Sequence, residues 1–177
     1  LQTLQNLGLT LNKEKCIIAS SNIPFWGFLA TSKGLKPDPE KCMALQAADK
    51  PQNKEELISF LCMIRSNGDF IPNVAVLTAN LRQLCKKHVK FMWTACHDKE
   101  FENIKKAFNE SILLRHYDPQ QPTFIFVDAH VTGLSAILAQ GSTPDNAKAV
   151  ALASRTTTPT QQRYAQLDLE ALAIDFG

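Results

Sequence analysis

Tyr117-Asp118-Pro119-Gln120-Gln121-Pro122 is followed at once by Thr123-Phe124-Ile125-Phe126-Val127-Asp128. Two prolines in six polar-leaning residues cannot continue a helix, and the apolar, β-branched and aromatic run after them has the composition of a strand. The spacing therefore predicts a boundary over 117–122, with helical periodicity before it and strand periodicity after it. Downstream, Leu134 to Gln140 predicts a second strand after Gly133, and Ala149 to Ser154 a third after the polar loop 141–148. Thr158-Pro159 with Gln161 reads as the cap of a last helix running to the end of the chain. Ala165, Leu169, Leu172 and Phe176 form one apolar face of that helix, and Leu167, Ala171 and Ile174 cover much of the rest, which predicts a buried helix.

Upstream, Leu1, Leu4 and Leu7 followed by Gly8 read as the last turns of a helix closed by glycine. Lys15 to Ala19 and Ile23 to Ala30 are β-prone, and Ser32-Lys33-Gly34 predicts a hairpin turn with Leu35 on the return arm. Asp38-Pro39-Glu40 carries an N-cap acid and Pro at N1, opening a helix to about Ala48. Asn53 with Glu56 resembles a capping box ahead of Leu57, Phe60, Leu61 and Ile64, and Gly68 stops that run. Val74, Leu77, Leu81 and Leu84 mark a third helix whose far end is basic, with Arg82, Lys86, Lys87 and Lys90. Thr94 caps a fourth, in which Phe101, Ile104 and Phe108 share a face.

The 177 residues are 45% apolar and 20% charged, ordinary globular composition that rules out collagen, coiled coil and wholly disordered chain. No apolar run approaches the roughly 18 residues that span a bilayer, and the N-terminus lacks the order of a signal peptide, so no membrane partner is expected and the default is intracellular. Five scattered cysteines, an odd number, read as reduced thiols. The missing initial Met and the stop inside a helix suggest a piece of something longer. Net charge of +2 hides a split: residues 1–121 carry 16 basic and 12 acidic side chains, and residues 122–177 carry 3 and 5. That can accompany a polyanion-binding part beside a cation-binding one.

Asp128 ends an apolar strand and Glu170 interrupts an apolar helix. A buried carboxylate costs several kcal/mol unless paired, hydrogen-bonded or metal-bound, and one divalent cation would serve both. Hard oxygen donors without Cys or His favour Mg²⁺ or Mn²⁺. The other reading is a strand-end Asp facing water and a Glu at the margin of the apolar face. Two readings also stand for the aromatics Phe25 and Trp26, which either pack in a half-buried hairpin or contact a ligand. The basic run is either a solvated helix end or a polyanion contact. Cys85-x-x-His88 with Cys96-His97 superficially supplies four zinc ligands, but the second pair are sequence neighbours, unlike zinc-site spacing. No Gly-rich phosphate loop and no nucleophile motif is present.

Taken in order, these stretches resemble one family. Gly8-Leu9-Thr10-Leu11-Asn12-x-Glu14-Lys15-Cys16, Phe25-Trp26-Gly27-Phe28 and Gly34-Leu35-Lys36-Pro37-Asp38-Pro39-Glu40-Lys41 resemble the region after the polymerase active site in reverse transcriptases of gypsy-type LTR retrotransposons. Glu55-Glu56-Leu57-x-Ser59-Phe60-Leu61 with Phe70-Ile71-Pro72-Asn73 is similar to the family's thumb. Phe91-x-Trp93 with Phe101-x-x-Ile104-Lys105 is similar to the segment leading into its ribonuclease H domain. Val127-Asp128-Ala129, Gly133-x-x-Ala136-Ile137-Leu138, Ala153-Ser154-Arg155-Thr156 and Glu170-Ala171-Leu172-Ala173 are similar to the start of that domain.

The resemblance implies an α+β fold: a palm-end aromatic hairpin over residues 1–37, a helical thumb and connection over 38–121, then over 122–177 a partial ribonuclease H-like mixed β-sheet with a packed helix, the strand from Thr123 being central. It implies a fragment of a Pol polyprotein whose parent copies RNA into DNA and cleaves the RNA of RNA–DNA hybrids by two-metal phosphoryl transfer in a cytoplasmic particle or the nucleus. Asp128 and Glu170 become the first two catalytic, metal-binding carboxylates for Mg²⁺ or Mn²⁺. Phe25, Trp26 and Gly27 match the primer grip, and Arg82, Lys86, Lys87 and Lys90 fall where phosphates would be contacted. Partners would be RNA–DNA hybrid or primer-template and the rest of the polyprotein. The polymerase acids and the later ribonuclease H acids lie outside the chain, so this segment alone is expected to be inactive. The competing function is a retroelement-derived module that binds nucleic acid or protein without catalysis. Cys62 stands where Gly is common, Arg65-Ser66-Asn67-Gly68-Asp69 replaces a stretch usually richer in Tyr and Arg, and His130 follows where Ser is commoner.

Overall fold

Residues 2–177 are described in the computed structural model. The chain opens with a short helix, α1 (Gln2–Asn6), and Gly8 closes it at φ 69°, the left-handed conformation expected of a glycine after a helix end. Leu1, read as part of that helix, lies outside the described residues. The β-prone stretch Lys15–Ala19 forms no strand. Asn12 accepts a hydrogen bond from the Glu14 amide at 3.0 Å and holds Lys13–Lys15 in a 3-10 turn, leaving Ile18 81% exposed beyond it.

Strands β1 (Asn22–Phe25), β2 (Phe28–Thr31) and β3 (Gly34–Pro37) form an antiparallel sheet in that order. The run Ile23–Ala30, read as one arm, is folded in two at Trp26-Gly27. Both residues have positive φ, 50° and 84°, as a two-residue hairpin turn matched to strand twist requires. The second turn, Ser32-Lys33, is held by the Thr31 hydroxyl, which donates to Gly34 O at 2.8 Å.

Local capping chemistry sets the helices. Asp38 accepts from Glu40 N at 3.0 Å and opens α2 (Pro39–Ala47). Asn53 accepts from Glu56 N at 2.9 Å, while the Glu56 carboxylate accepts from the Gln52 amide at 2.7 Å, opening α3 (Lys54–Arg65). The predicted third helix is two, α4 (Val74–Leu77) and α5 (Ala79–Leu84). Thr78 divides them: its hydroxyl donates back to Val74 O at 2.7 Å and accepts from Arg82 Nε at 2.8 Å, so the side chain competes with the helical ladder. α6 (Ala95–Asn109) starts at Thr94, whose backbone N–H donates to His97 Nδ1 at 3.0 Å. These helices close on Leu45, Leu57, Phe60, Ile64, Leu81 and Phe101, all at most 5% exposed.

Asp98 ties the start of α6 to the loop after α2. Its carboxylate accepts from the Trp93 indole N–H at 2.8 Å and pairs with Lys50 at 2.5 Å. The hydrogen bonds from Lys50 and then Trp93 hold this carboxyl below the ordinary aspartate range. A depressed folded-state pKa stabilises the fold above the unfolded value and loses that contribution as pH falls through the folded one. Asp98→Asn is therefore expected to lower the melting temperature at neutral pH, and the gap from wild type to narrow as the pH is taken below about 4. Thermal melts of both proteins across that range check it.

The second sheet contains β4 (Thr123–His130), β5 (Gly133–Gln140) and β6 (Lys148–Thr156), antiparallel and in that order. The α+β class stands. Within it, the strand from Thr123 is not central and the sheet is not mixed among the described strands: β4 lies at the edge and β5, with Leu134 and Ala139 buried, at the centre, because short turns join three consecutive strands, which can then pair only antiparallel. The helix packed on this sheet, α7 (Gln166–Phe176), starts later than its cap signal. Thr158 and Gln161 do bond reciprocally, at 2.9 and 3.2 Å, but they close a 3-10 turn (Gln161–Arg163), and extended backbone at Tyr164 and Ala165 separates it from the helix. α7 is also not buried all round. Leu169 and Ala173 face the sheet, while Leu167 and Ile174 are 76% and 70% exposed, because three strands cover only one side of the helix.

A segment without helix or extended strand, residues 111–122, joins the halves. Leu114 makes a one-residue bridge with Leu35 of β3, donating at 3.0 Å and accepting at 2.7 Å, and the next amide, Arg115, donates to Ala149 O of β6 at 2.8 Å. Two consecutive residues thus staple one sheet to the other.

Candidate carboxylate pair and nucleic-acid interface

Asp128 stands in β4 opposite Ser135, and the strand runs two residues further than expected, to His130. Glu170 is on the second turn of α7. Gln166, at the head of α7, joins the two elements. Its amide nitrogen lies 3.4 Å from Ala129 O, beside Asp128, and 3.4 Å from Glu170 Oε1. At the far end of the helix, Gly177 packs against Val127 and Ile125. The helix therefore runs along β4 on the face of Ile125 and Val127. The two acids belong to touching elements, but strand alternation puts Asp128 with Phe126 on the other face of the sheet, so the structure does not bring the two carboxylates together.

Both carboxylates are exposed, as is Asp168. Desolvation therefore does not oblige either acid to find a partner. A pair of solvent-facing carboxylates offers hard oxygen donors of the kind Mg²⁺ or Mn²⁺ takes with water completing the shell, and that donor chemistry fits. Among the described residues no cluster of three or more His, Cys, Asp or Glu is placed to hold an ion. His130 is tied to its own turn, Nδ1 accepting from Thr132 N at 3.2 Å.

The aromatic hairpin is exposed and not packed. Phe25 and Trp26 are 61% and 87% accessible and stack on each other, ring centroids 5.7 Å apart and nearly parallel. Gly27 is required there twice over. Its φ of 84° disfavours any side chain, and a Cβ would collide with the Lys41 ammonium. Lys41 thus places a cation beside Gly27, at the turn that carries the two rings, and nothing in its sequence position, on the following helix, signals that. Stacked rings beside an ammonium can take a base face and a phosphate.

The basic residues divide. Arg82 sits in the last turn of α5, held by Thr78; burial, and then the neighbouring Arg65, push its guanidinium down from its ordinary value, and it remains cationic. Lys86, Lys87 and Lys90 lie beyond the helix end, in turns closed by Lys86 N to Gln83 O and Val89 N to Lys86 O. The macrodipole reading therefore holds for Arg82 alone. Arg82 and Lys86 share a groove of about 380 Å³ with Thr132 of the β4–β5 turn, Thr156 at the end of β6, and Thr157 and Gln162 of the loop after it. Lys87 and Lys90 are exposed but do not line it. Thr157 and Gln162 were missed from sequence because neither type stands out in a polar loop.

Residues 93–177 match the family described as an RNase H-like domain found in reverse transcriptase, which defines the class of this half of the chain. The whole chain is similar to transposon polyproteins: over 174 residues, 98% of its length, it is 32% identical to the transposon Tf2-3 and Tf2-4 polyproteins of Schizosaccharomyces pombe. It spans 13% of the length of those relatives. Among solved structures, the foamy viral protease-reverse transcriptase in complex with RNA/DNA hybrid superposes with a TM-score of 0.78 at 22% identity, covering 92% of this chain and 22% of that one. The dRH form of the same protein in complex with double-stranded DNA gives 0.79 at 22% identity, covering 99% and 32%.

Proposed function

We propose that the chain serves as the nucleic-acid-handling middle of a reverse transcriptase and ribonuclease H polyprotein. In this reading residues 1–37 are the end of the palm with a primer-grip-like hairpin, 38–121 the thumb and connection, and 122–177 the N-terminal part of the ribonuclease H-like domain. The observation that carries it is the match of residues 93–177 to the RNase H-like family, within which Asp128 stands on β4 and Glu170 on the helix that Gln166 ties to that strand. The fold neighbours were solved with RNA/DNA hybrid and with double-stranded DNA, which supports the same class of ligand here.

Asp128 and Glu170 would hold Mg²⁺ or Mn²⁺, which when bound supplies an activated water and charge stabilisation at the leaving oxygen of an RNA phosphodiester. Gln166 keeps the Glu170 carboxylate turned toward β4. Phe25 and Trp26 would carry a base or sugar face, with Lys41 beside the turn at Gly27, and Arg82, Lys86, Lys87 and Lys90 would contact phosphates without regard to sequence. The chain by itself offers no more than these two carboxylates toward such a site, so it is expected to incorporate no nucleotide and to hydrolyse little or no RNA. Template-directed incorporation by the purified chain would overturn this.

The test is a Mn²⁺ titration followed by thermal stability and by paramagnetic broadening of amide resonances. Broadening centred on β4 and the first turns of α7, and lost in Asp128→Asn and Glu170→Gln, is the expected result. Uniform weak broadening that both variants retain would remove the metal-site assignment.

A further inference from the structure

We propose that the cleft on the other side of the staple is a nucleotide-phosphate-binding site, separate from the carboxylate pair, the hairpin tip and the Arg82 groove. Three cations meet there from segments far apart in sequence: Lys33 in the β2–β3 turn, Arg115 of the staple and Lys148 at the start of β6. Together they line a cleft of about 280 Å³. Among the described residues none of the three has a carboxylate within 4 Å, the single ion pair being Lys50 with Asp98. Unpaired like charges gathered in a cleft are a cost to the fold that an anionic ligand would relieve.

The walls are built rather than incidental. His116 is fixed by its Nε2, 2.8 Å from Thr31 O, so it donates there. Gln140, 5% exposed, donates to Asp118 O and to Thr123 Oγ1, both at 2.9 Å, and accepts from Asp118 N at 2.8 Å. Asp118 supplies the one carboxylate of the lining, and its Oδ1 is already accepting from Gln120 N at 3.0 Å. The cleft therefore stays cationic.

What selects a nucleotide over a bare anion is the neighbouring groove of about 770 Å³, which shares Lys33, Arg115 and Lys148 and is otherwise apolar. Its floor is Phe126, Ile137 and Ala139, on the sheet face away from α7, and Phe126 is 43% exposed. A ligand with a phosphate at one end and a flat, weakly polar ring at the other matches this pair of spaces, whether as a free nucleotide or as a unit of a strand.

The experiment measures binding of adenosine triphosphate without divalent ion, and of a single DNA strand of about 12 nucleotides, between about 50 and 200 mM salt. The proteins are wild type, Lys33→Gln, Arg115→Gln, Lys148→Gln, and Lys13→Gln as a control for net charge on an exposed turn. Each cleft variant is expected to weaken binding about fivefold or more and, for the strand, to reduce the salt slope by about 0.7. Melting temperatures should be unchanged for Lys33→Gln, which sits on an exposed turn. Loss in both arms marks a site for the nucleotide itself, and loss in the strand arm alone marks a backbone contact. If neither probe binds wild type, or if the cleft variants behave as Lys13→Gln does, the proposal is wrong. Trp26→Ala, measured beside them, keeps the two readings apart, because it tests the hairpin and leaves the triphosphate arm untouched.

Discussion

Gly34→Ala is expected to destabilise the protein by about 2–4 kcal/mol and to part the two sheets. Gly34 has φ 141°, a conformation in which a Cβ is strained whatever the space around it, and here there is no space. The Cβ would come within 2.1 Å of Leu114 O and 2.9 Å of the carbon behind it. Both are backbone atoms of the staple, so no side-chain rotation relieves the clash. Either β3 or the segment carrying Leu114 must withdraw, and the paired bonds between Leu35 and Leu114 go with it. Amide hydrogen exchange distinguishes this from simple strain: Leu35, Leu114 and Arg115 should lose protection while the centre of β5 keeps it. Uniform loss across both sheets, or none, would show that the staple does not hold them together.

Phe101→Ala is expected to cost more, about 3–5 kcal/mol, out of a total stability that for most domains is about 5–15 kcal/mol. Phe101 is 5% exposed at the centre of the helical half. Its ring lies 4.8 Å from that of Phe60 on α3 and 6.1 Å from that of Trp93, and Lys105 sits over its face at 4.6 Å. Truncation leaves a cavity and also loosens Lys105, whose ammonium closes the end of α2 by donating to Gln46 O at 3.0 Å and Ala48 O at 2.6 Å. Chemical denaturation at equilibrium measures it. A loss under about 1 kcal/mol would mean that the site collapses around the gap.

What could be read from the sequence was local. Asp38-Pro39, Asn53 with Glu56, and Thr94 each announced a helix start, because capping is settled within four residues and tertiary contacts did not override it. Thr158 with Gln161 bonded as read, yet the turn it closed was short, since the pattern fixes the first turn and not the number that follow. The break at Thr78 was hidden because the apolar spacing continued through it, and a threonine that bonds backward looks in sequence like one that does not. Exposure of Phe25 and Trp26 followed from a turn at Trp26-Gly27 that the longer β-prone run masked.

For the candidate site, family resemblance picked out Asp128 and Glu170, and the structure sets them on touching elements. Burial, the physical argument offered for them, does not apply, since both are exposed. Lys41 was invisible, and so were Lys33, Arg115 and Lys148 as a group. Each acts with residues that only the folded chain brings near. The one-residue bridge between Leu35 and Leu114 has no sequence signature at all, although it decides which side chains meet around it.

The outer edge of β4 carries a further consequence. Among the described residues that edge pairs with no strand, and Ile125 and Phe126 on it are 54% and 43% exposed. An open row of amides and carbonyls beside apolar side chains is a template on which a second copy can add. The strand holds no lysine or proline to blunt it, and Asp128 is its one acid. Asp128→Asn removes the one acid of the strand, so the chain of these 177 residues is expected to become less soluble as concentration rises, which light scattering against concentration checks.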